Sequence, residues 1–117
     1  MKYLIATLAT ALTLSAAPAM AHGMLSGSEP TDGEVLTEAP EAVLLEFSED
    51  LEPALSKVTV TDSTGAPVET AAPVTDEGAN TLRLDLPEIA PGTYKVDWSV
   101  TSVDTHSTSG SYSFTLN

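Results

Sequence analysis

Between residue 43 and the carboxyl terminus, five runs of side chains alternate with a period of two. Val43, Leu45 and Phe47 alternate with Leu44, Glu46 and Ser48, and Val58 and Val60 with Thr59 and Thr61. Leu82, Leu84 and Leu86 flank Arg83 and Asp85, while Tyr94, Val96, Trp98 and Val100 flank Lys95, Asp97 and Ser99. Tyr112, Phe114 and Leu116 close the chain in the same manner. Successive side chains of a strand point to opposite faces, so each run has one face to bury and one to wet. No stretch carries an apolar stripe at helical spacing, and valine and threonine suit strands. Turn signals separate the runs: Asp32-Gly33, Ala39-Pro40, Thr64-Gly65-Ala66-Pro67, Glu77-Gly78 and Pro91-Gly92. The reading is an all-β domain, a small antiparallel Greek-key β-barrel or sandwich, with those apolar residues as its core.

The first residues follow a different rule. Lys2 precedes an apolar run, Leu4 to Leu14, and Ala19-Met20-Ala21 supplies a small-x-small cleavage site. These are the three parts of a secretory signal peptide, and the apolar run is short for a membrane span. Residues 1–21 are therefore expected to be removed, leaving residues 22–117 as one exported domain, periplasmic or extracellular. Removal takes away Lys2, so 17 acidic and 3 basic residues remain and the formal charge moves from −13 to −14. Such a surface repels a phosphate backbone, which excludes nucleic acid as a partner. The chain has no cysteine, which excludes disulfides, thiolate metal sites and a cysteine nucleophile.

The chain has two histidines. Cleavage after Ala21 would put His22 first, where an α-amine and an imidazole on one residue can chelate a single metal ion. His106 lies two residues after Asp104, so both would share one face of an extended segment. Bringing the amino terminus beside that segment would gather an amine, two imidazoles and a carboxylate. Three nitrogens and one oxygen without sulfur suit Cu(II); nickel(II) and zinc(II) also fit these donors, but copper stands highest in the divalent affinity order. Met24 is the one methionine after the cut, so Cu(I) is poorly served. Cleavage after Ala19 would instead leave Met20-Ala21-His22, and a third-position histidine binds Cu(II) locally without His106. Strand parity adds a constraint: Ser102, Asp104 and His106 continue the buried face of the Tyr94–Val100 run. A carboxylate cannot remain unpaired in a core, so the strand must end near Ser102 or bulge there. Glu49-Asp50 reads as a solvated charged turn, and no nucleophile elbow surrounds Ser107 or Ser109.

Taken together, these residues resemble the CopC family of periplasmic copper-binding proteins. The resemblance runs through His22, Ser28-Glu29-Pro30-Thr31-Asp32-Gly33, Ala39-Pro40, Leu45-Glu46-Phe47-Ser48-Glu49 and Pro91-Gly92-Thr93-Tyr94-Lys95-Val96-Asp97-Trp98. It continues through Ser102-Val103-Asp104-Thr105-His106 to Gly110 and Phe114. It implies an immunoglobulin- or cupredoxin-like β-fold, one Cu(II) ion per chain on His22, Asp104 and His106, and a monomeric carrier rather than an enzyme. It also implies a polytopic membrane copper-transport protein as partner. Thr105 stands where the family commonly has glycine, and the methionine-rich loop of some members is missing, which places the chain with the Cu(II)-only subgroup. Two other functions compete. His22-Gly23 also begins copper-dependent oxidative enzymes that use an amino-terminal histidine brace, against which stand the short chain, the carboxylate ligand and the few aromatics. A non-metal immunoglobulin-like interaction module would use Trp98 and the tyrosines as contacts, but their strand parity places them in the core.

Overall fold

The computed structural model describes residues 25–75 and 79–117. Seven strands form two packed sheets: β1 (Leu25–Glu29), β2 (Val35–Leu36), β3 (Ala42–Phe47), β4 (Lys57–Thr61), β5 (Thr81–Asp85), β6 (Gly92–Thr101) and β7 (Ser107–Leu116). One sheet has the order β1-β3-β5 and the other β2-β7-β6-β4, giving the expected all-β Greek-key sandwich. Pairing is antiparallel except for β2, which runs parallel to β7. A single 3₁₀ turn, Pro53–Leu55, is the sole helical element among the described residues.

The period-two faces are buried as the side-chain alternation requires. Of the fifteen inward-facing residues, fourteen are buried, and Leu86 is half-buried against the same cluster. Leu51 and Ile89 join the core from outside any alternating run. Trp98 is 4% exposed and meets Phe47 edge-on, with ring centroids 5.4 Å apart, so it is a core residue and no surface contact. Two elements escape the sequence pattern. β1 reads Leu-Ser-Gly-Ser-Glu and β2 is two residues long, so neither offers enough apolar side chains to show a period. Both are fixed by backbone pairing, β1 on β3 and β2 on β7.

The longest pairing is the β6–β7 hairpin, in register from Gly92↔Leu116 to Thr101↔Ser107. Its turn, residues 102–106, projects from one end of the sandwich. β1 starts at that same end, because Leu25 faces Phe47 in antiparallel register and Phe47 lies two residues before Glu49.

Candidate metal site

Of the two ways to keep Asp104 out of the core, the chain uses the first: β6 ends at Thr101. Ser102 is still on the buried face, and beyond it the backbone folds over itself. The Ser102 N–H donates to the His106 carbonyl at 2.8 Å, and the Thr105 N–H to the Ser102 carbonyl at 2.9 Å. Closing this tight turn requires Thr105 to adopt φ = 73°, a left-handed conformation that glycine takes without steric cost and a β-branched residue rarely takes. The turn therefore forms with threonine carrying the strain.

The loop after β3 is stitched to this turn by backbone hydrogen bonds. Val103 donates to the Asp50 carbonyl at 3.0 Å, Glu52 donates to the Thr101 carbonyl at 2.8 Å, and Leu51 bridges Ser102. That stitching brings Glu49 beside Asp104 and His106, and one donor atom from each of the three lies within 4.8 Å of the others. Glu49 is exposed, as the sequence suggested, and it stands beside Asp104 and His106. No sequence signal could have paired it with Asp104, because the contact exists only through β3 and β6 lying on opposite sheets whose ends meet here.

Within the cluster, His106 Nδ1 lies 3.2 Å from Asp104 Oδ2, with the side chains 78% and 47% exposed. Asp104 Oδ1 turns inward, accepting from the Ser102 hydroxyl and, at 3.4 Å, from the His106 N–H. The Ser102 hydroxyl, the His106 ring and Glu49, in that order, hold the Asp104 carboxyl well below the usual carboxylate range. Two carboxylates this close repel one another unless a proton or a cation lies between them. The 3.2 Å between His106 Nδ1 and Asp104 Oδ2 is close to the roughly 3 Å that separates two donors held about 2.0–2.1 Å from one ion at right angles, so this pair suits a small divalent cation. His22, the remaining residue of the ligand set read from the sequence, lies outside the described residues, as does the Glu77-Gly78 turn.

Fold and cluster together define a small β-sandwich with an open oxygen-and-imidazole site at one end. The family model named CopC domain matches residues 25–117, and the chain belongs to the CopC family. It is 35% identical to Protein YobA of Escherichia coli K12 over 118 residues, covering 99% of this chain and 94% of that one. It is 37% identical to copper resistance protein C of Xanthomonas campestris pv. juglandis over 114 residues, covering 91% and 88%. Among solved structures it is similar to CopC from Methylosinus trichosporium OB3b, with TM-score 0.76, 34% identity and coverage of 80% of this chain and 92% of that one. It is similar also to PcoC from Escherichia coli, described as a methionine-rich copper resistance protein, with TM-score 0.72 and 30% identity over 80% of this chain and 97% of that one. No helix among the described residues is long and apolar enough to cross a membrane.

Proposed function

We propose that the protein is an exported, non-enzymatic carrier that binds one Cu(II) ion per chain through the His22 amine and imidazole, the His106 imidazole and the Asp104 carboxylate. The observation that carries this reading is the exposed cluster of Asp104, His106 and Glu49 at the end of the sandwich where β1 begins. Gly23 and Met24 separate His22 from Leu25, so an extended chain can carry His22 up to about 10 Å from Leu25 at that end of the sandwich. The copper resistance proteins among the relatives supply the identity of the metal. The proposed donor set supports the oxidised ion, since nitrogen and oxygen without sulfur favour Cu(II). One methionine follows the signal cut, in contrast to the relative described as methionine-rich.

Signal cleavage after Ala21 is then part of the chemistry, since it creates the amine ligand in the periplasm. Glu49 places a second carboxylate at the ion, lowering the cost of bringing a dication to the site. An exposed site also exchanges its ion readily, which suits a carrier that hands copper to a polytopic membrane transporter.

Intact mass of the exported protein, followed by Cu(II) titration with paramagnetic-resonance counting of nitrogen ligands, tests this. The expected result is a first residue of His22, one equivalent of Cu(II) and three coordinated nitrogens. Adding one residue before His22, or His106→Ala, should each weaken binding by at least tenfold. Equal affinity with an extended amino terminus would overturn the proposed ligand set.

A further inference from the structure

The least accessible polar side chain near the cluster is Ser102, whose relative exposure is 0%. A hydroxyl taken wholly out of water must be hydrogen-bonded or destabilise the fold. It has one proton to give and, within reach, two acceptors: Asp104 Oδ1 and, at 3.3 Å, the His106 carbonyl. The ionised carboxylate is the stronger acceptor, and the bond to it is charge-assisted. The His106 carbonyl is already satisfied by the Ser102 N–H at 2.8 Å. The serine hydroxyl therefore goes to Asp104, and it sorts the two carboxylate oxygens. Oδ1 is turned into the fold, while Oδ2 is left facing His106 Nδ1 at 3.2 Å.

Serine is also the residue that meets the packing here. Position 102 lies on the buried face of β6, bridged to Leu51, where a larger polar side chain would displace the core. Its main-chain N–H and carbonyl both close the 102–106 turn, so the hydroxyl is held by a backbone that cannot easily drift from Asp104.

We propose that Ser102 is a positioning residue for the copper site: its buried hydroxyl occupies Asp104 Oδ1 and presents Oδ2 as a single, oriented oxygen donor. The proposal rests on the ligand set given above and assigns no contact between Ser102 and the ion. Without the hydroxyl, the Asp104 side chain is free to rotate and to offer either oxygen or both. An outer partner that orients a ligand typically accounts for 10–100-fold in metal affinity.

The test is a cycle of Ser102→Ala, Asp104→Ala and the double variant, titrated with Cu(II) after signal cleavage and checked for folding by urea midpoint. Ser102→Ala should weaken Cu(II) roughly tenfold in the wild-type background and by less than twofold in the Asp104→Ala background. Its paramagnetic-resonance spectrum should keep the nitrogen count while the g values shift with the changed oxygen donor. Ser102→Ala binding as tightly as wild type, while Asp104→Ala binds weakly, would overturn the positioning role and leave the ligand set standing. An equal loss from Ser102→Ala in both backgrounds would overturn it also, by showing an effect that does not pass through Asp104. Unchanged affinity in Asp104→Ala would instead remove the ligand assignment itself, and the positioning role with it. A copper-loaded crystal structure of the unaltered protein gives a reading that does not depend on any variant folding. Ser102 Oγ bonded to the non-coordinating oxygen of Asp104 supports the proposal, and both Asp104 oxygens on the ion refutes it.

Discussion

Gly110 offers the sharpest test of how the sandwich is packed. It faces Trp98 across the β6–β7 ladder, and the indole lies directly over it. A Cβ added at Gly110 would stand 2.6 Å from Trp98 Cζ2 and 2.9 Å from Cε2, closer than real Cβ contacts come. These are atoms of a rigid ring that is 4% exposed and already packed edge-on against Phe47, so the ring cannot simply swing into solvent. Either the indole leaves its rotamer or β7 moves away from the core. Overpacking of this kind costs about 1–3 kcal/mol. Alanine restricts the unfolded chain more than glycine does, which returns about 0.4–1 kcal/mol, because Gly110 has no positive φ to forbid the change. Gly110→Ala should therefore be destabilised by about 1–2 kcal/mol, a fall in Tm of roughly 5–15 °C for a domain near 100 residues. Trp98 is the only tryptophan, so its fluorescence reports both the urea transition and the displaced ring. Trp98→Phe removes the ring that the added methyl would strike, and in that background the Gly110→Ala cost should fall to near zero. If Gly110→Ala is as stable as the parent with unchanged emission, or if its cost is the same with phenylalanine at 98, the described packing is wrong.

Other consequences follow from the turn and from the buried phenol. Thr105→Gly relieves a left-handed conformation worth about 1–2 kcal/mol in an L-residue and gives back about 0.5–1 kcal/mol in chain entropy, so the urea midpoint should rise modestly, by about 0.5–1 kcal/mol in stability. A fall in the midpoint would show that Thr105 is held by contacts the φ strain does not outweigh. The Tyr112 hydroxyl is buried, and desolvation, opposed by the Ser28 side chain and joined by smaller contributions from Asp32 and Glu34, pushes its phenol up to about 12. The ordinary phenol value is lower, so the folded state disfavours tyrosinate. The stability from this group is whole below about pH 10 and is lost as pH rises toward 12, which absorbance titration of the phenols against folding will follow.

Much of the fold can be read from residues 43–116 because water acts on each strand separately. A strand half in water and half in a core must alternate, and Val43 to Phe47 or Tyr94 to Val100 show that alternation with no knowledge of their neighbours. Leu25–Glu29 lacks it because its place comes from main-chain hydrogen bonds to β3, to which side-chain identity contributes little. Leu51 and Ile89 were invisible for a related reason: each fills the core from a loop, where position rather than periodicity decides burial.

The candidate site divides along the same line. Asp104 and His106 are two residues apart, so their proximity is local and legible in the sequence, although the sequence reads them on one face of an extended segment and the structure sets them on a tight turn. The predicted cut before His22 is equally local, a pattern of charge, hydropathy and small residues along one segment. What a linear chain cannot encode legibly is the meeting of distant segments. The β3–β4 loop lies against the β6–β7 turn only because two sheets pack face to face and their ends coincide. That packing turns Glu49 from a solvated charge into a neighbour of Asp104, and Ser102 from a strand residue into a buried donor that chooses which carboxylate oxygen faces outward. Alternation along the chain determined the strands and which of their faces are buried, because burial acts residue by residue. Tertiary structure decided the geometry of the site, because a metal cluster depends on distances between strands.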